Sequence, residues 1–497
     1  MKESTASSGT IILFRAPFWL SAKSVYSQVN PPIGLGYLAS SLEQAGFTAI
    51  IIDMALHDIQ WESIIRYIKK KRPLFVGISA LTLYYDGMKK LSKFIKAHSP
   101  DTMVILGGVH PSVLPRYSLR ECKADAVSIG EGEQTIVELA RAIANGALDL
   151  SGIKGLAIWK DGEIIFTEKR DLIKDLDTLP MPAWYKINPN IYPKNPHGFL
   201  LKYLQVAPIF SSRGCPHDCS YCASCKFWGQ KIRFRSPVKV VDEIEYLHDE
   251  FGIREIHFWD DNLTLKRSHI VGICKEIIKR GLNHMAFCTP NGVRVDTLND
   301  TVLKWMKAAG FYKMTFAVES GSPELLRKSN KKTSLLKIAK NTVLAKKMGF
   351  ILNSFFMLGF PGETRETMEE TVRFACALPF DYSTFFIMKP LPGSAIFEQW
   401  RQGRSIKDFD WKKLGYWDSR EFNLTELPNE CITKMFYDAH KRNERRFKKL
   451  GRMIWIRLKH FHFKQMAFNL DLLGHVLLGY QFNIWERGTQ GRKSNKS

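Results

Sequence analysis

The stretch Ser211–Cys225, SSRGCPHDCSYCASC, carries four of the chain's nine cysteines. Cys215, Cys219 and Cys222 follow the spacing C-x3-C-x2-C, and Cys225 comes three residues later. Thiolates on one tight loop can ligate three irons of a cubane cluster and leave the fourth iron open. An open iron is a place where a substrate or cofactor can coordinate. Zinc is the competing reading. Structural zinc sites take paired ligands from two loops, and no second C-x2-C or H-x3-H follows at a suitable distance. Four ligands crowded into eleven residues make a poor tetrahedron even if Cys225 pairs with Cys222. The spacing favours iron–sulfur and leaves Cys225 outside the pattern, as a loop residue near the site.

Outward from this stretch, the chain alternates apolar runs with helix-length segments. From residue 204 the runs are QVAPIFSSRG, EIHFWDD, HMAFCTPNGV, KMTFAVES, LNSFFMLGF and YSTFFIMKP. Six repeats over about 200 residues predict a partial (β/α)6 TIM-type barrel with its chemistry at the carboxyl ends of the strands. Its first helix is well signalled, by Ser236-Pro237 at the start and Gly252 at the end. Upstream, IILFRA, FTAIIID, LFVGISA, MVILGGV and DAVSIG predict a doubly wound parallel sheet, with ligands beyond its carboxyl ends. GLAIWKDGEIIFTEK reads as a hairpin turning at Asp161-Gly162. LDTLPMPAW then reads as a stiff crossing between domains. The expected division is 1–148 for the first α/β domain and 149–199 for hairpin and linker. The barrel takes 200–400 and a helical carboxy-terminal region 401–497.

A chain of 497 residues is too long for one core. The five cysteines outside the cluster, Cys122, Cys274, Cys288, Cys376 and Cys431, are scattered, which argues against a disulfide framework. The opening MKESTASSGT runs into an apolar strand, so a cytoplasmic protein without a signal peptide is expected. The net charge is +23, and residues 441–497 hold 14 Lys/Arg against 3 Asp/Glu, a net of +11. Such a field suits an anionic membrane surface or a phosphate-bearing partner, or it is a solvated tail. Asp471, His475 and Lys464 interrupt its most apolar part, which argues for an interfacial or packed amphipathic helix over a spanning one.

The loop RGCPHDCSYC, with Tyr221 before the third cysteine, resembles the radical S-adenosylmethionine (radical SAM) superfamily. The resemblance implies a 4Fe-4S cluster on Cys215, Cys219 and Cys222 whose open iron binds SAM. It also implies reductive cleavage of SAM to a 5′-deoxyadenosyl radical, with flavodoxin or ferredoxin as external electron donor. Asp260, Asp261 and Asn262 stand where that family carries polar groups for the methionine ammonium; for Asn262 a helix cap is the alternative. Glu319 and Ser320 stand where relatives meet the ribose, and LGFPGE and KPLPGS look like the fifth and sixth strand ends. Arg294 is expected to meet the SAM carboxylate or to form a surface salt bridge.

In the first domain, Ser79 and Leu81 end one strand and Gly107-Gly108 the next. Their spacing resembles the S-x-L and G-G signatures of the cobalamin-binding, Rossmann-like fold. That fold's D-x-H-x-x-G is missing: Pro31 and Ile33 stand at its Asp and His, and only Gly36 survives. Cobalamin is therefore expected without that histidine ligand, with His110 a surface or loop residue. A cobalamin-like domain joined to such a barrel resembles the cobalamin-dependent radical SAM family over residues 11 to about 400. The implied enzyme modifies an unactivated carbon of a small molecule, with C-methylation favoured over ring formation or oxidation of the Mg-protoporphyrin ester cyclase type. A transfer-RNA methylthiotransferase would carry three more cysteines in the first domain, where only Cys122 occurs. A non-enzymatic sensor that grips nucleic acid through Phe447, Trp455, Phe461 and Phe463 leaves the polar strand ends unexplained. The same aromatic-basic pattern suits a lipid or isoprenoid-like substrate taken from a membrane surface.

Overall fold

The computed structural model describes residues 9–17, 29–147, 149–193, 201–414 and 422–444. Five parallel strands, β1 (Thr10–Arg15), β2 (Thr48–Asp53), β3 (Phe75–Ser79), β4 (Val104–Gly107) and β5 (Ala126–Ser128), run in the order 2-1-3-4-5. Helices cover both faces, so Ile11, Ile12, Leu13 and Phe14 are all buried despite pointing alternately up and down. The order reverses between β1 and β3, which opens a crevice beyond their carboxyl ends. The hairpin β6 (Leu156–Lys160) and β7 (Glu163–Phe166) turns at Asp161 and Gly162, whose φ values are 50° and 80°. It pairs antiparallel with β5, so the first sheet has seven strands and runs past residue 148 instead of leaving the hairpin in the linker.

The second sheet is a six-stranded open barrel of parallel strands. It comprises β8 (Val206–Ile209), β11 (Glu255–Phe258), β12 (Ala286–Val293), β13 (Phe311–Glu319), β14 (Ile351–Leu358) and β15 (Tyr382–Ile387), side by side in that order. The first apolar run does not stay in the barrel. After Phe210 the chain leaves β8 and forms a small antiparallel ribbon, β9 (Ser212–Arg213) with β10 (Arg233–Phe234). The cysteines hang from the tip of this ribbon. Phe258, Phe287 and Phe311, in mutual ring contact, fill the space between sheet and helices, each contributing about 1.5–3 kcal/mol by burial. The first barrel helix, Pro237–Phe251, is capped as its sequence requires. The Ser236 hydroxyl accepts from Lys239 N, and Gly252 closes the helix at φ 63°.

Charged groups lock the two domains together. Glu131, in the turn after β5, and Glu133, which opens the next helix, face the ribbon. Arg213 places Nη1 2.8 Å from Glu131 and Nη2 2.6 Å from Glu133, while Arg233 lies 2.6 Å from the second Glu131 oxygen. All four are buried. The linker adds Trp184, whose Nε1 donates to Glu243 at 3.0 Å while Arg235 holds the other Glu243 oxygen. Beyond the barrel, Phe409, Trp411 and Leu414 return to the first domain's core, and the helix Asn429–Glu444 packs on β15. Trp411 covers His110, correcting the expectation of a surface histidine. That imidazole is 0% exposed, 4.8 Å from Trp411 and 4.3 Å from Tyr85, without a hydrogen-bond partner, and burial lowers its pKa to about 3. The expectations for Phe447, Trp455, Phe461, Phe463 and the apolar stretch 461–485 lie outside the described residues. Among the described residues no helix is long and apolar enough to cross a membrane.

Removing one member of a buried ion pair leaves its partner's charge uncompensated, at about 3–5 kcal/mol. Glu131→Ala should therefore lower the thermal midpoint by several degrees, while Glu163→Ala on the exposed hairpin should leave it within error. Equal midpoints for the two variants would show that the pairs contribute nothing. The turn after β14 offers a pH test. Glu363 accepts from Gly359 N and from Phe360 N, yet burial pushes its pKa from 4.5 up to about 7. A carboxyl raised on folding favours the protonated native state, so that stability is complete below about 4.5 and lost as pH rises through about 7. Glu363→Gln keeps an acceptor but cannot ionise. Its thermal midpoint should gain on the parent's between roughly pH 5 and pH 8. A constant difference would mean that Glu363 is ionised throughout.

Candidate functional site

Gly214 begins the cysteine loop at φ 94°, where a Cβ would come within 2.7 Å of the Lys231 carbonyl. Only glycine lets the ribbon close there. The loop is then held from both sides. Ser220 N donates to Ser329 O at 2.9 Å, and Ile396 N donates to Ser220 O at 3.0 Å. Cys219 is buried, and Cys215 and Cys222 are half-buried. Burial pushes the Cys222 thiol up to about 12, and the charges of Asp261, Cys219 and Cys215 add to the rise. Cys215 is raised by burial, then by Asp261 and Cys219, with Arg294 opposing. Cys215, Cys222 and Asp261 thus share one enclosure and resist becoming anionic together. A bound cationic group removes that resistance, because coordination deprotonates a thiol outright. The donor set fits an iron–sulfur cluster on this ground. Cys225 lies just beyond, in the short helix Ser224–Trp228.

The strand ends above the barrel divide the expected ligands into two groups. Asp260 is committed internally: its carboxylate accepts from Ser211 N at 3.2 Å, from Ser211 Oγ at 2.7 Å and from Ser212 Oγ. Burial raises its pKa to about 6. Arg294 is buried, not on the surface, and its guanidinium is bound by Asp296 and by the carbonyls of Lys331 and Lys332 at 2.7 and 3.0 Å. Ser320 contacts Thr371 Oγ1 at 3.0 Å and receives Ser322 N, so it ties β13 to the helix Arg365–Ala377. These three brace the site. The others differ in their surroundings. Asp261 is exposed, although enough protein surrounds it to raise its pKa. Asn262 is buried with neither side-chain atom hydrogen-bonded, and the next helix is preceded by Lys266, so Asn262 caps nothing. An unpaired buried amide is costly and marks a place where a polar ligand fits. Glu319 sits at φ 72°, after a bulge in β13, and pairs with Lys331 at 3.1 Å. Tyr221 stays a phenol, held well above its ordinary pKa by burial, by Glu319 and by Cys219, with its ring edge-on to Phe360 at 5.9 Å. Lys331 is missed in the sequence, where it is one lysine of a basic run.

On the first domain, Ser79 and Gly107 are register partners at the ends of β3 and β4. Gly108, at φ 91°, lies against Ser79 Oγ and Ala80 O, 2.9 and 2.8 Å from where its Cβ would be. A Cβ on Gly107 would meet nothing within 4 Å. Leu81 beside it is 54% exposed. The result is a bare backbone shelf with an apolar edge, which a flat corrinoid with a long tail would fit. Gly36 has another cause: the linker's Ile187 and Pro182 would lie 2.7 and 3.1 Å from its Cβ. Ile33 is buried at the start of the helix Ile33–Gln44, so this segment has no side chain to ligate a metal. The shelf continues into the short helix Val109–Val113, which packs on Ser224–Trp228 next to the cysteines. The shelf and the cysteine loop therefore lie side by side.

Burial along β14 and β15 separates the two faces of these strands. Phe356, Leu358, Phe385 and Ile387 are buried against helices, whereas Phe355, Met357, Thr384 and Phe386 between them are partly exposed. The second set points into the barrel, whose upper lumen is an apolar collar. No sequence pattern separates this lumen from an ordinary core.

Residues 22–140 match the B12 binding domain family and residues 209–375 the Radical SAM superfamily. An uncharacterized methyltransferase of Pyrococcus horikoshii is 33% identical over 86% of this chain and 91% of its own length. The cytidylyl-2-hydroxyethylphosphonate methyltransferase of Streptomyces wedmorensis is 28% identical over 84% and 87%. The anaerobic magnesium-protoporphyrin IX monomethyl ester cyclase of Cereibacter sphaeroides is 30% identical over 82% and 66%. Among solved structures, the radical SAM methyltransferase TsrM from Kitasatospora setae, with cobalamin and a [4Fe-4S] cluster bound, superposes with a TM-score of 0.67 at 20% identity, covering 80% of this chain and 78% of that one. With both domain matches in chain order and this likeness along nearly the whole length, the chain belongs to the cobalamin-dependent radical SAM enzymes.

Proposed function

We propose that this enzyme methylates an unactivated carbon of a small apolar molecule held in the barrel lumen. The observation that carries the reading is the packing of the glycine shelf beside the cysteine loop, with Phe355, Met357 and Phe386 on the inner face of the barrel strands. When bound, the cluster and SAM supply a hydrogen-abstracting radical, and the corrinoid supplies the methyl group. The chain's own residues hold and separate these groups. Cys215, Cys219 and Cys222 take the iron, leaving one iron for SAM. Asp261 and the unpaired amide of Asn262 suit the ammonium and carboxylate of its methionine end, and Glu319 suits its ribose hydroxyls. Ser79, Leu81, Gly107 and Gly108 seat the corrinoid. Asp260, Arg294 and Ser320 hold these strand ends still, and the apolar walls keep water from the reacting carbon.

Protein made anaerobically with iron and cobalamin should show absorption from both a cluster and a corrinoid. With SAM and dithionite it should release 5′-deoxyadenosine. Cys219→Ala should lose cluster iron, and Gly107→Phe should lose corrinoid while keeping iron. A Cys219→Ala protein that still cleaves SAM would sink the assignment. With methyl-deuterated SAM, label in the product supports methyl transfer, and an unlabelled oxidised or cyclised product assigns the ester-cyclase type of outcome instead. The apolar collar and the net +11 of residues 441–497 support a lipid or isoprenoid-like substrate met at an anionic membrane face. The protein should then float with anionic vesicles in low salt and stay behind with neutral ones; indifference to both removes the membrane part.

A further inference from the structure

A second basic region lies within the described fold. Residues 323–347 hold eight Lys/Arg and one Asp/Glu, a net of +7. Lys331 and Lys346 are taken up by Glu319 and Asp381. Arg327, Lys328, Lys332, Lys337 and Lys340 are exposed. Among them stands Leu336 of the helix Leu335–Lys347, 79% exposed. This segment rests directly on the cysteine loop. Ser329 O accepts from Ser220 N, and Lys332 Nζ lies 3.5 Å from Asp218, the exposed neighbour of Cys219. A molecule seated here is one loop's thickness from the three sulfurs.

We infer that this face docks an acidic one-electron carrier protein and passes its electron to the group held by Cys215, Cys219 and Cys222. The inference rests on the iron–sulfur reading above. In the step one electron leaves the carrier's reduced flavin or cluster and enters the iron–sulfur group; no bond forms or breaks. A basic rim steers an acidic partner, and an exposed aliphatic centre suits a small, transient protein interface. A nucleic acid would want aromatic stacking platforms, whereas the exposed large apolar groups of this segment are Leu336 and Val343.

The test follows bleaching of the cluster absorbance by reduced flavodoxin in a stopped-flow instrument. Lys332→Glu with Lys337→Glu and Lys340→Glu should slow reduction roughly tenfold at low salt, with the gap closing as salt rises. Leu336→Asp alone should slow it too, and both should weaken flavodoxin binding to cluster-free protein. Lys69→Glu with Lys70→Glu and Lys71→Glu, on the exposed end of the helix Trp61–Lys71, matches the charge change far from the cysteines and should leave the rate unchanged. Dithionite should reduce every variant to the same electron-paramagnetic signal. Equal rates in the patch and control variants, or equal slowing in both, overturn the proposal. So does patch-dependent binding of RNA or anionic vesicles with flavodoxin kinetics intact. If dithionite reduces no cluster in the unsubstituted protein, the cofactor reading itself falls.

Discussion

One carboxylate, Glu131, lies between two guanidiniums, and the position of the cysteine loop depends on it. Arg213 immediately precedes Gly214 and Cys215, and Arg233 sits on the other strand of the ribbon. Apolar packing alone would join the two domains over a range of orientations, since it has no direction. Buried ion pairs cannot slide, because each charge out of reach of its partner costs several kcal/mol. Glu131, Glu133, Arg213 and Arg233 sum to zero charge, and Ile173 supplies a donor to Glu131 and an acceptor to Arg233. The carboxyl ends of the two sheets are thereby held toward a common space. Either sheet alone would present only half of it.

Within that space, electrostatics is arranged to be incomplete. Around Cys215 and Cys222 burial, reinforced by Asp261 and the neighbouring thiols, disfavours thiolate, and Arg294 opposes it only at Cys215. At Asn262 it leaves a buried amide unpaired. Neither is a stable arrangement for an ordinary core, where buried polar groups find partners. Both make sense if ligands complete them. Asp260 and Arg294, at the strand ends of the same barrel, are engaged by contrast.

Much of this was legible in the sequence because parallel strands buried on both faces must read as apolar runs, and the helix signals at Ser236, Pro237 and Gly252 act locally. The turn at Asp161-Gly162 was equally local. Which sheet its hairpin joins was not, because strand pairing depends on distant neighbours. His110 shows the same limit: its cover, Trp411, comes from beyond the barrel. The pairing of Arg213 with Glu131 spans 82 positions and leaves no pattern. Asp260 and Asp261 are neighbours of one type with opposite fates, since successive side chains on an extended strand end point to opposite sides. Gly36 looked like a remnant of a ligand motif, whereas the linker's Pro182 and Ile187 account for it.

The barrel's closed end explains why the upper lumen can be left apolar. Glu255, His257 and Lys313 are buried there, with Tyr312 donating to Glu255 at 2.7 Å and His257 at 3.0 Å. Burial alone would raise the Glu255 pKa, but the His257 hydrogen bond and the Lys313 charge bring it below the usual carboxylate range. Two backbone donors, Lys202 N and Tyr203 N, occupy the other oxygen. With both Glu255 oxygens engaged, this floor binds β11, β13 and the segment that leads into β8 to one another. A partial barrel is open along one side and needs such a plug to keep its strands in register. Because the polar groups do that work at the bottom, the wall above can be apolar: Phe355 and Phe386 meet edge to face at 5.4 Å, with Met357 on the same side of β14.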